Sequence, residues 1–365
     1  MDINLVAPIN TLSYGICGSN ILDALIKRGH RVALFPINPH NMEADEGLHE
    51  SIKIGLDNAK LPNFSAPCIR LYHQFDMSQW IGHGKHIGFP IFELDTFNEV
   101  EKHHLRNGCS ELMVCSNWAR NICCNNLDKD NTNIQRVSVV PLGVNSDIFS
   151  PARPYRRATT VFLNVGKWEV RKGHVELITA FNDAFNYEDD VELWMMCESP
   201  FLKKTSEDVG EETEQTWLDI CKNSKLGNKI RFIPRVGTQS EVAAVMNQAD
   251  CGVFPAKAEG WNLDLLEMMA CGKLVIATNY SGHTQFCNQD NTMLVDKLGI
   301  EPAFAKPWFY GQGNWAKVNV QQVVDHMRTV HQLKKAGGNL VNEAGIKTAQ
   351  MLSWDNTAKA IMESI

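Results

Sequence analysis

The segment Ala256-Lys257-Ala258-Glu259-Gly260-Trp261-Asn262-Leu263-Asp264-Leu265-Leu266-Glu267-Met268-Met269-Ala270-Cys271-Gly272 decides how this chain is read. A short apolar run, Cys251 to Phe254, precedes it and reads as a buried strand; a second, Leu274 to Ala277, follows it. Between them Leu263, Leu266, Met269 and Ala270 recur at helical spacing, and Gly272 supplies a stop signal. Glu259 is therefore expected in the loop before a helix, and Glu267 inside the helix, past its first turn. Two carboxylates at the mouth of a strand–loop–helix unit can grip the hydroxyls of a polyol from two sides. The helix N-terminus between them offers unpaired backbone N–H groups to an anion. A polyol joined to an anion is the outline of a nucleotide sugar.

Composition narrows the classes. A chain of 365 residues exceeds one ordinary core and fits two domains. Its 44% apolar and 21% charged content is that of a globular protein, and a net charge of -7 provides no general basic field for nucleic acid or anionic lipid. The first 150 residues are acidic too, with 12 Lys+Arg against 16 Asp+Glu. Eleven cysteines without a C-x2-C pair fit a reducing compartment better than a disulfide framework or a zinc site. Met1 to Val6 opens directly as a strand, with no positive leader, and no apolar run reaches membrane-helix length, so a cytoplasmic protein is expected.

The alternation of strands and helices is α/β. Ile3 to Ala7 reads as a strand, and a polar loop with Tyr14-Gly15 and Gly18 follows. Ser19 is read as the cap of a helix that ends at Gly29, and Arg31 to Phe35 as the next strand. Residues 37–66 carry no pattern. Ile69 to Tyr72 forms a strand closed by His73, and Leu112 to Cys115 another, with Ser116 as a helix cap. A second α/β unit begins with the strand Val161 to Val165. Its loop is Gly166-Lys167-Trp168-Glu169-Val170-Arg171-Lys172-Gly173, with cations aimed from a strand end toward a helix start, where a phosphate would sit. Arg171 is expected to face water. Residues 201–227 read as an exposed helical excursion. Phe304 to Trp315, despite the formal G-x-G-x-x-A of Gly311 to Ala316, reads as a loop because no strand precedes it. Asn319 caps a helix that Gly337-Gly338 stops.

The Glu259…Glu267 pair resembles the E-x7-E signature of the retaining glycosyltransferases of family 4 (glycosyl transferases group 1), which have the GT-B fold. In the usual form, Glu-Gly-Phe-Gly-Leu-Pro, Gly and Pro stand where this chain has Asn262 and Asp264. Gly166…Lys172-Gly173 is similar to the family's Gly-Arg…Lys-Gly loop, with Lys167 in the arginine's place. Val137 to Asn145 with Phe149 and Pro151, and Ser353-Trp354, resemble its interdomain passage and closing helix. The resemblance implies two Rossmann-like doubly wound domains facing across a cleft. Residues 1–152 would form the acceptor side, 153–345 the nucleotide-sugar side, and 346–365 a helix crossing back to the first lobe.

The implied activity is transfer of a sugar, with retention, from a nucleotide-diphosphate sugar to a hydroxyl. The resemblance assigns catalysis to His73, Glu259 and Lys172. It assigns donor binding to Gly15, Lys167, Lys172, Glu259, Gly260, Trp261, Asn262, Leu263 and Glu267. No cofactor and no metal are expected, since the cations would stabilise the leaving diphosphate. The acceptor stays open among a glycan, a lipid-linked glycan, a small molecule and modified nucleic acid. The alternatives are a non-catalytic nucleotide-sugar-binding protein of the same fold and, from another class, a nicotinamide-dependent oxidoreductase, which lacks its glycine fingerprint here.

Overall fold

The computed structural model describes residues 1–127, 136–153, 157–206, 213–306 and 308–365, and they form two compact units. The first contains Met1–Asn145, Ser281–Gln285 and Met351–Ile365; the second contains Ser146–Tyr280 and Phe286–Gln350.

In the first unit, β1 (Asp2–Pro8), α1 (Ser13–Lys27), β2 (Arg31–Ile37), α2 (His49–Asn58), β3 (Cys68–Tyr72), β4 (His86–Pro90), α3 (Glu99–Gly108), β5 (Glu111–Val114), α4 (Asn117–Asn126) and β6 (Arg136–Val139) alternate. The strands pair in parallel in the order β2-β1-β3-β4-β5-β6. Covered on both faces, such strands are apolar throughout, and Ile3, Leu5, Ala7, Val32 and Leu34 are buried accordingly. A core of Met77, Phe92, Leu105, Leu112, Val114 and Cys123 fills the far half of this sheet.

The second unit repeats the plan with β7 (Thr160–Gly166), α5 (His174–Ala184), β8 (Val191–Cys197), α6 (Glu214–Lys222), β9 (Ile230–Phe232), α7 (Gln239–Gln248), β10 (Cys251–Phe254), α8 (Leu263–Ala270), β11 (Leu274–Thr278) and β12 (Met293–Val295). Its sheet order is β12-β11-β10-β7-β8-β9, again parallel. A hairpin, β13 (Lys297–Ala305) and β14 (Phe309–Val318), then α9 (Val320–Lys335) and α10 (Glu343–Met351) complete this unit, before α11 (Trp354–Ser364) returns to the first. Each sheet reverses its winding once, between β1 and β3 and between β10 and β7. Open α/β sheets bind ligands outside the carboxyl ends of strands at such points.

Several expectations need correction. Tyr14 and Gly15 belong to the first turn of α1, not to a loop, and Ser19 lies inside the helix with its hydroxyl on the Gly15 carbonyl at 2.8 Å. A Cβ on Gly15 would stand 2.2 Å from the Asn10 backbone nitrogen, so glycine here lets the preceding loop close over the helix start. The patternless 37–66 region holds α2. Lys297 to Val318 is a hairpin and not a loop; its Gly and Pro residues accompany bulges in the pairing. In the 201–227 excursion, of which 207–212 lie outside the described residues, α6 buries Trp217 and Cys221.

The division between units falls at Asn145/Ser146, ahead of the 152/153 boundary. Asn247 accounts for the difference: its amide donates to the Ser150 carbonyl at 3.0 Å, and its Oδ1 accepts from the Ala152 N–H at 2.9 Å. The return falls at Met351, not residue 346, because α10 is tied to the second unit through Asn291 and Thr348 at 2.9 Å.

Candidate functional site

The carboxyl ends of β7 and β10 carry the charged residues picked out in the sequence. After β7, a single 3-10 turn over Val170–Lys172 is closed by Gly173 at φ 72°, where a Cβ would stand 2.0 Å from the Pro255 carbonyl oxygen. Only glycine meets both demands, and it presses this turn against the loop leaving β10. The Lys257 N–H then donates to the Arg171 carbonyl at 2.8 Å.

The two loops are joined by a chain of alternating charges. Lys167 Nζ lies 2.8 Å from Glu169 Oε1, and Arg171 Nη2 lies 2.6 Å from Glu169 Oε2. Arg171 Nη1 donates to Glu259 Oε2 and to the Ala258 carbonyl, both at 2.8 Å. Lys172 Nζ is 2.8 Å from Glu259 Oε1 and 3.5 Å from Asp264 Oδ2. Lys167 also lies over the Phe201 ring at 5.2 Å.

Arg171 is thus not solvated: it is 5% exposed and grips Glu259 beside Lys172. Burial alone would raise the Glu259 carboxyl, but Lys172 and Arg171 outweigh it and hold the group down to about 2. Glu169 is held at about 2 in the same way, against its own burial, by Arg171 and Lys167. Burial would lower Lys172, yet Glu259 and Asp264 keep it raised and charged.

Asn262 opens α8 in the left-handed region, φ 79° and ψ 72°, and its Oδ1 caps the Leu265 N–H at 3.3 Å. Asparagine tolerates that conformation best after glycine and also caps well, which accounts for its standing where glycine is usual. Asp264 lies in the first turn, where the helix dipole favours an anion. Glu267, one turn further, is buried and has no ion-pair partner among the described residues. Burial first, then the Asp264 charge, pushes its carboxyl well above the usual range. Gly260 and Leu263 are buried beside them. Trp261 is not an open wall; it packs on Phe286 with centroids 4.9 Å apart.

Behind the loop, His174 Nε2 donates to the Lys167 carbonyl at 2.9 Å, and the ring meets Trp168 and Trp217 edge-on at 4.9 and 5.4 Å. Burial lowers this histidine to about 4, so it is neutral and shapes the loop from below.

The first unit carries its own cluster at the reversal between β1 and β3. The Tyr14 hydroxyl donates to the Ile91 carbonyl at 2.6 Å and lies 2.9 Å from His73 Nδ1. With its one proton committed to a carbonyl, the phenol oxygen accepts from Nδ1–H and so orients the ring. His73 also stacks on Phe75 at 5.0 Å. Sequence reasoning singled out His73 but not its partner Tyr14, whose helical position it misplaced.

This geometry can be set beside known proteins. Residues 159–306, which include Lys167, Lys172, Glu259 and Glu267, match the family model described as "Glycosyl transferases group 1". Sucrose-phosphate synthase from Thermosynechococcus elongatus superposes with a TM-score of 0.69 at 15% identity, over 100% of this chain and 98% of that one. A glycosyltransferase from Rickettsia africae gives 0.67 at 16%, covering 100% and 97%. Anabaena Alr3699/HepE, solved in complex with UDP-glucose, gives 0.68 at 12%, covering 100% and 99%. The fold is GT-B. No curated protein sequence matches the chain. The GT-B likeness spans all of it, whereas the family match covers residues 159–306, nearly all of them in the second unit. Among the described residues no helix is long and apolar enough to cross a membrane.

Proposed function

We propose that this GT-B chain transfers a sugar from a nucleotide-diphosphate sugar to an acceptor hydroxyl with retention of configuration. The observation that carries the reading is the convergence of Lys172, Arg171, Glu259 and Asp264 at the strand reversal of the second sheet, beside the N-terminus of α8. Fixed cations and helix N–H groups there stabilise the negative charge that grows on a departing nucleoside diphosphate. Lys167 and Lys172 take the diphosphate, Glu259 the sugar hydroxyls, and Glu267 the ribose hydroxyls. The ammonium groups take the place of a metal. His73, oriented by Tyr14, is the catalytic candidate of the first unit. The leaving phosphate deprotonates the acceptor on the same face of the sugar, so no carboxylate nucleophile is required.

Glu267 supports the ribose assignment: a buried carboxyl without a cationic partner is costly unless a ligand satisfies it. The test is incubation with UDP-, GDP- and ADP-sugars and measurement of nucleoside diphosphate release, with the product's anomeric configuration read by NMR. Release with at least one donor and a retained product supports the proposal. Donor binding without release would instead indicate a sugar-nucleotide-binding protein, a reading that the charge-matched cluster also accommodates.

A further inference from the structure

Lys172 already holds an anion supplied by the protein itself. Asp264 Oδ2 lies 3.5 Å from its ammonium, and the Asp264 side chain is a quarter exposed, unlike the nearly buried Glu259. Both partners lie over the last residue of β7: a Cβ on Gly166 would stand 3.3 Å from Lys172 Nζ and 3.6 Å from Asp264 Oδ2. That is the strand end and helix N-terminus at which a diphosphate would be received. We propose that the Asp264 carboxylate occupies the diphosphate's place on Lys172, so that donor binding requires Asp264 to leave that place. The inference rests on the proposed function and concerns a position where the family's usual residue is proline.

The charges explain why the exchange matters. Lys167, Arg171 and Lys172 are matched by Glu169, Glu259 and Asp264, so the resting site has no net positive charge to offer a diphosphate. Arg171 and Glu259 are locked by short contacts and by the Ala258 carbonyl, and Glu169 is shared between Lys167 and Arg171. Asp264 has the longest of these contacts and sits on the first turn of α8, where a rotamer change moves it without disturbing the backbone. Its carboxyl is already pushed up by burial, with Glu259 adding to the effect and Lys172 opposing it, so the charged form is the least secure in the cluster. An incoming diphosphate adds repulsion and favours displacement. Such a residue penalises ligands by their charge and not by their base or sugar.

The test is calorimetric titration of the full chain and of Asp264→Asn with UDP, GDP and ADP, and with the corresponding nucleosides. The expected result is nucleoside diphosphate affinity about tenfold or more tighter in the variant, with nucleoside affinity unchanged. Asp264→Thr, which removes the charge with a different shape, reproduces the gain and serves if the asparagine variant does not fold. Equal or weaker diphosphate binding in folded variants, when the wild type binds, would overturn this inference alone. No diphosphate binding by wild type or variants would overturn it together with the proposed function.

Discussion

Lys172 and Glu259 meet across the two loops of the second unit at 2.8 Å, and their substitution probes chemistry most directly. Lys172→Met should reduce nucleoside diphosphate release about 100-fold or more, the scale of losing one preorganised charge at a transition state. Initial-rate assays check this, while Glu259 remains paired through Arg171. His174 supplies a pH prediction. Its folded value is about 4 against an ordinary 6.5, so between those values the unfolded chain binds more protons. Stability is therefore full above pH 6.5 and falls by about 3 kcal/mol as pH drops to 4. His174→Gln should flatten that window in urea denaturation, leaving the loss from Glu259 and Glu169 to begin below about pH 4.5, toward about 2. The sequence made Lys172 and Glu259 legible because glycine spacing and a strand–loop–helix pattern surround them. Arg171 was not legible: its neighbours form a basic run, and its burial depends on partners 87 and 88 residues away.

At the level of elements, strands were easier to read than the segments between them. Parallel strands buried on both faces stand out as apolar runs, and the helix caps at Ser116 and Asn319 carry their own chemistry. The β13–β14 hairpin was hidden because Gly299, Pro302, Gly311 and Gly313 punctuate it like a loop; the register jumps around Gly299 and between Pro302 and Phe304 show how the pairing tolerates them. Helix α6 looked like a solvated excursion because one tryptophan carries its attachment. Trp217 stacks on Trp168 at 5.5 Å directly beneath the candidate loop. Trp217→Ala should cost about 3 to 5 kcal/mol, measured by urea denaturation. A loss below about 1 kcal/mol would mean that α6 is dispensable to this core.

For the molecule as a whole, the two sheets were legible as repeated α/β units, while the course of the chain between them was less so. The terminal helix α11 belongs to the first unit: Asp355 meets Arg28 at 2.7 Å, and the Thr357 hydroxyl donates to the Pro141 carbonyl at 2.9 Å. Trp354, Ala358 and Ile361 are buried there. Ending the chain after Gln350 should therefore destabilise the first unit by on the order of 5 kcal/mol. Hydrogen exchange would show lost protection in β1 to β6 and little change in β7 to β12; equal loss in both would contradict that assignment. The central claim is that the second unit receives a nucleoside diphosphate between the β7 loop and α8. A crystal structure with bound UDP, GDP or ADP tests it most directly. The account predicts diphosphate oxygens within hydrogen-bonding distance of Lys172, Asp264 displaced from it, and ribose hydroxyls on Glu267. A nucleotide bound away from Lys172, or a diphosphate there with the ribose turned away from Glu267, would contradict it.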